Sequence, residues 1–121
     1  MKKFAITLGV FYILLAFGSV YPNDIVGSNA WVATDFLHNL IHFLVGSILV
    51  GVALVSPIFL PRILSAAGFL FLILAVLGSW FTGFDIGRVM GIMSANGIGH
   101  MIHLVTGVMC IVFGTINHRL D

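Results

Sequence analysis

Hydrophobic residues run almost unbroken through four stretches of the chain, at about residues 4–20, 34–56, 62–81 and 95–116, with turn-forming and polar residues gathered between them. The first stretch stops at Tyr21-Pro22-Asn23-Asp24, the second at Pro57 and Pro61, the third at Thr82-Gly83-Phe84-Asp85 and the fourth at Asn117-His118-Arg119. A membrane-crossing helix needs about 20 apolar residues, so the pattern predicts an all-α fold. The expected architecture is a four-helix transmembrane bundle in a single domain, 1–121. The basic start Met1-Lys2-Lys3 ahead of an apolar run would also suit a secretory leader. The run is long for one and no small-x-small cleavage site follows it, so a retained first helix is expected.

Composition sharpens the membrane reading. Of 121 residues, 60% are hydrophobic and only 7% charged, against roughly 25% charged in ordinary soluble domains. Nine charges cannot dress the surface that a domain of this size leaves open to water, so lipid is the expected solvent. Mean hydropathy is +1.20. A net charge of +1 excludes the basic face that a nucleic acid needs. With one cysteine, Cys110, the chain has no internal disulfide and no cysteine-only metal knuckle. Lys2, Lys3, Arg62 and Arg119 fall on one side of the four-span arrangement and Arg88 alone on the other, which predicts both termini in the cytoplasm. Asp24, Asp35 and Asp85 then lie at the outer surface, flanked by the interface aromatics Trp31 and Trp80.

The chain also matches itself. An offset of 61 residues aligns Asp24-Ile25 with Asp85-Ile86, Asp35 with Asn96, Ile41-His42 with Ile102-His103, and Gly46 with Gly107. Two tandem helical hairpins are expected, 1–60 and 61–121, each a plain helix, an outer loop and a histidine-bearing helix. An even number of spans separates equivalent points, so the hairpins share one orientation about a pseudo-two-fold axis along the membrane normal.

Candidate chemistry sits on two helix faces. Asp35, His38, Asn39 and His42 fall at i, i+3, i+4 and i+7 of the second helix, and Asn96, His100 and His103 form a similar stripe on the fourth. Polar side chains avoid lipid, so both stripes should face the bundle interior. Small residues follow each stripe and allow close helix approach: Gly46, Ser47 and Gly51 on one, Gly107, Cys110 and Gly114 on the other. Three readings stay open. His38, His42, His100 and His103 have a spacing suited to a transition metal ion, while His42 and His103 are the natural pair for a haem or a (bacterio)chlorophyll held between helices. Alternatively the polar residues are a hydrogen-bonded clamp, each contributing about 0.6–2 kcal/mol. A proton or ion path is the third reading, and it finds only Ser47, Ser56, Thr106 and Thr115 below the glycines, with no ionisable residue before His118. No Gly-x-Ser-x-Gly elbow or phosphate-cradling loop is present.

Thr34-Asp35-Phe36-Leu37-His38-Asn39-Leu40-Ile41-His42-Phe43-Leu44-Val45-Gly46 resembles the His-Asn-Leu-x-His-x-x-x-Gly signature of the DUF4383-type small bacterial membrane proteins. Asn96-Gly97-Ile98-Gly99-His100-Met101-Ile102-His103-Leu104-Val105-Thr106-Gly107 looks like that family's second element. The resemblance implies a four-helix membrane fold, in a bacterial inner or photosynthetic membrane, and no activity. With about 41 residues outside four 20-residue spans, the chain has little material for a substrate domain. A non-catalytic accessory or structural subunit of a larger membrane complex, of the energy-conversion kind, is therefore expected, with lipids and other membrane subunits as partners and no nucleic acid.

Overall fold

The computed structural model describes residues 1–116. Arg119, counted above for orientation, and the stop signal Asn117-His118 lie outside the described residues. The chain runs through α1 (Lys2–Gly18), β1 (Val26–Gly27), β2 (Val32–Ala33), α2 (Phe36–Val55), a 3₁₀ turn (Pro57–Phe59), α3 (Leu60–Thr82), β3 (Gly87–Val89), β4 (Met93–Ala95) and α4 (Gly97–Ile116). The helix boundaries follow local chemistry. Asp35 caps α2 by accepting from the His38 N–H, which satisfies one of the first-turn donors that a helix leaves unpaired. Pro57 and Pro61 occupy first-turn positions, where a missing N–H costs nothing, so the link between α2 and α3 is tight.

Three segments are long and apolar enough to cross a membrane: Phe36–Val55, Pro57–Thr82 and Gly97–Ile116. α1, at 17 residues, is shorter. The expectation of a purely helical chain needs one correction, because both longer loops fold into small β pairs. β1 and β2 pair in parallel through Val26↔Val32 and Gly27↔Ala33. β3 and β4 pair antiparallel with Arg88 opposite Ser94, and Met90 and Gly91, at φ 54° and 71°, make the reversal between them. Short unpaired loops would leave backbone polar groups unsatisfied against the bundle end, and pairing them removes that cost.

Packing is closest within two pairs, α1 on α2 and α3 on α4. Glycine makes both possible. A Cβ on Gly46 would stand 2.5 Å from the Gly9 carbonyl oxygen and one on Gly9 2.6 Å from that of Gly46. The second pair repeats the arrangement, with a Cβ on Gly68 2.8 Å from the Gly107 oxygen and one on Gly107 3.0 Å from the Gly68 oxygen. Gly114 meets Pro61 and Ser65 of α3 just as closely. Gly51 does not share this role: it is exposed, with nothing within 4 Å of where its Cβ would be. Its spacing from Gly46 turns it away from α1, so its expected part in helix packing is withdrawn.

Phe4, near the start of α1, stacks on Phe113 near the end of α4 at 4.2 Å between ring centroids. The chain start and the α2–α3 link therefore occupy one end of the bundle and the β pairs the other. The link end holds a wholly apolar buried cluster of Ala5, Leu49, Ala53, Leu60, Leu64 and Cys110. The polar interior belongs to the loop end.

Candidate functional site

Three of the four expected histidines converge. His38, His42 and His103 are buried, at 2%, 2% and 4% exposure, and one ring nitrogen from each lies within 4.8 Å of the others. His42 and His103 are each the seventh residue of their helix, which puts them about 10 Å from the loop end at 1.5 Å per residue. Their Nε2 atoms stand 3.3 Å apart, across the gap between α2 and α4. His38 anchors its Nδ1 on the Ser94 carbonyl oxygen at 2.7 Å. A carbonyl only accepts, so Nδ1 carries the hydrogen and the neutral ring presents its Nε2 lone pair inward. That Nε2, together with Nδ1 of His42 and Nδ1 of His103, is buried without a hydrogen-bond partner.

His100 leaves the cluster, contrary to its expected place there. Its Nε2 and the Thr82 Oγ1 are 2.6 Å apart, and its ring lies over Gly78, which has no side chain to obstruct it. A three-residue step along a helix turns a side chain by about 60° from the starting direction, enough to send His100 onto α3 while His103 faces α2. Nothing in the polar pattern of α4 alone reveals this, because Thr82 and Gly78 belong to another helix.

The polar residues expected around the cluster act mainly as fasteners. Asp35 Oδ2 accepts from the Ser94 N–H at 2.8 Å. Asn96 Oδ1 accepts from the Ala33 N–H at 3.3 Å and from the Gly99 N–H at 3.2 Å, and its Nδ2 donates to the Trp31 carbonyl oxygen at 2.7 Å. Each residue thus serves the first turn of its own helix and also holds the loop that precedes the other helix. Asn39 donates from Nδ2 to the Ser19 Oγ at 2.7 Å, at the end of α1.

Sequence reasoning passed over Tyr12, treating α1 as plain. It is fully buried, stacks on Phe71 at 4.8 Å, meets the His42 ring edge-on at 5.0 Å and donates its hydroxyl to the Thr106 Oγ1 at 3.1 Å. A hydroxyl in the middle of an apolar run was the available signal, since such a group needs a partner. Tyr12→Phe should lower stability by about 0.5–1.5 kcal/mol, read as an earlier midpoint in thermal unfolding in detergent.

The arrangement narrows the ligand question. A porphyrin bound by His42 and His103 needs a slot between their rings, and here the two nitrogens are at hydrogen-bond distance with Tyr12 and Phe71 packed against the rings. The adjoining cavity, lined by His38, Leu74, Val89, Met93, Ala95, His100 and His103, has a volume of about 10 Å³, room for one water and not a macrocycle. Neither haem nor (bacterio)chlorophyll fits between His42 and His103 in this packing. An ion path would have to cross the apolar cluster at the link end, which offers no polar step. What remains is a compact set of imidazoles of a size suited to a single metal ion.

No known family, curated protein or solved structure matches the chain. The expected likeness to DUF4383-type proteins finds no support in these comparisons.

Proposed function

We propose that this is a non-catalytic, multi-pass integral membrane protein of four spans, serving as a small structural or accessory subunit in a membrane assembly. The observation that carries the reading is the use made of its few polar side chains. Asp35, Asn96, Asn39 and Tyr12 all spend their hydrogen bonds joining one helix or loop to another, while leucine, isoleucine, valine and phenylalanine stand exposed along all four helices. Such a surface suits lipid and the apolar flanks of neighbouring helices. α1 joins the other three segments as a fourth span, since 17 residues reach about 26 Å and lie at the short end of the spanning range. The exposed Lys2 and Lys3 extend its reach by placing their charges in the headgroups.

The tandem-hairpin reading is supported by pairs of contacts at matching positions. Asp35 to Ser94 and Asn96 to Ala33 exchange places under the 61-residue offset, as His42 and His103 do. Gly9 with Gly46 and Gly68 with Gly107 follow the same scheme with α1 and α3 offset by 59. The two hairpins then face each other about an axis between His42 and His103. Lys2, Lys3 and Arg62 at the link end favour the cytoplasmic side for that end, with Arg88 opposite.

Single cysteines test the topology in a Cys110→Ser background. A cysteine at Asn29 or Asp85 should react with a membrane-impermeant maleimide in intact cells, and one at Lys3 only after permeabilisation. Labelling of Lys3→Cys from outside would overturn the orientation. Purification from native membrane in mild detergent should yield the chain together with fixed partner proteins, and recovery solely as a monomer would sink the subunit reading.

A further inference from the structure

We infer that His38, His42 and His103 form a binding site for one late first-row transition-metal ion, copper(I) in particular, bridging α2 and α4. Spacing is the first support. Two nitrogens bound to one ion at about 2.0–2.1 Å in tetrahedral geometry stand about 3.3–3.4 Å apart, and the Nε2 atoms of His42 and His103 are 3.3 Å apart. With His38 included, one ring nitrogen from each of the three lies within 4.8 Å of the others.

Orientation is the second support. Metal-binding histidines characteristically donate their other ring N–H to a carbonyl or carboxylate, which fixes the tautomer and aims the free lone pair at the ion. His38 does this on Ser94, and Ser94 is itself held by Asp35 through its N–H. The Nε2 left over is buried and has no partner. A hydrogen bond between His42 and His103 satisfies one nitrogen of each ring and does nothing for His38, whereas an ion shared by all three uses that lone pair.

Two features select the metal. Imidazole suits zinc, copper, iron and nickel and not calcium or magnesium. The three ligands are uncharged and, among the described residues, no carboxylate joins them, so a dication brings more charge into a largely apolar interior than a monocation does. The thioether-bearing Met93 lines the small cavity beside His38 and His103, and thioethers favour copper(I).

The test is a titration of the purified full-length protein in mild detergent. Copper(I) is added under anaerobic reducing conditions in competition with a chromophoric copper(I) chelator, with zinc(II) run in parallel. One copper(I) per chain should be taken up and kept through desalting. His42→Ala and His103→Ala should each weaken uptake by more than about a hundredfold, beyond what loss of an outer-shell partner causes. Met93→Leu should weaken copper(I) about tenfold and leave zinc(II) unchanged, and His100→Ala should leave both unchanged. Wild-type protein that takes up neither metal overturns the site without reference to any variant's folding. Tighter zinc(II) than copper(I) binding overturns the copper assignment, and equal loss in His100→Ala overturns the choice of ligands. None of these outcomes depends on whether the protein has partner subunits.

Discussion

Gly46→Leu and Gly107→Leu are each expected to abolish the native fold in detergent. At both positions a Cβ would collide with a facing helix: 2.5 Å from the Gly9 carbonyl oxygen for Gly46, and 2.9 Å from Leu72 and 3.0 Å from the Gly68 carbonyl oxygen for Gly107. Backbone cannot rotate out of the way as a side chain can, so the helices must separate and lose contact along their length. The penalty should exceed the usual overpacking cost of about 1–3 kcal/mol. Helix association in lipid depends on this close packing, because no hydrophobic drive replaces it. Gly51→Leu is the control, expected within about 0.5 kcal/mol of the parent because its site is open. Size-exclusion profiles and thermal unfolding of the three variants would decide the matter, and an intact Gly46→Leu protein would refute the α1–α2 packing.

The second large effect is expected from Asp35→Ala and Asn96→Ala. Asp35→Ala removes the cap on His38 and the bond to Ser94, at about 1 kcal/mol for the cap and about 1 kcal/mol for the bond. Asn96→Ala removes bonds to Gly99, Ala33 and Trp31 and should cost at least as much. The double variant should lose less than the sum. Once either fastener opens the loop end, the other's bonds across the same gap are already weakened. Residues sharing one network typically couple by 0.5–3 kcal/mol, and a double-mutant cycle by thermal or denaturant unfolding measures it. Strict additivity would mean that the two fasteners act independently.

The helices were legible because hydropathy and proline punctuate this sequence so clearly. The stretches read at 34–56 and 95–116 became Phe36–Val55 and Gly97–Ile116. Trimming at their starts came from Asp35 and Asn96, which read as members of helical stripes and instead stand just ahead of the helices. His38, His42 and His103 were legible as a group, since polar residues in apolar helices have few places to go. His100 was not, because its direction is decided by Thr82 and by the space over Gly78 on α3. The β pairs were hidden for a similar reason. Strands of two or three residues carry almost no periodic signal, and β2 and β4 are held by Asn96 and Asp35 at the starts of the opposite helices.

The exchange of bonds at the loop end also sets a timetable for synthesis. Ribosomes deliver the N-terminal part first, yet the Ala33 N–H awaits Asn96, 63 residues downstream, and Asp35 Oδ2 awaits Ser94, 59 residues downstream. Until those residues emerge, His38 and His42 of α2 stand uncovered by their later neighbours. The first half of the chain thus keeps its histidine face uncovered until the second half arrives to close over it.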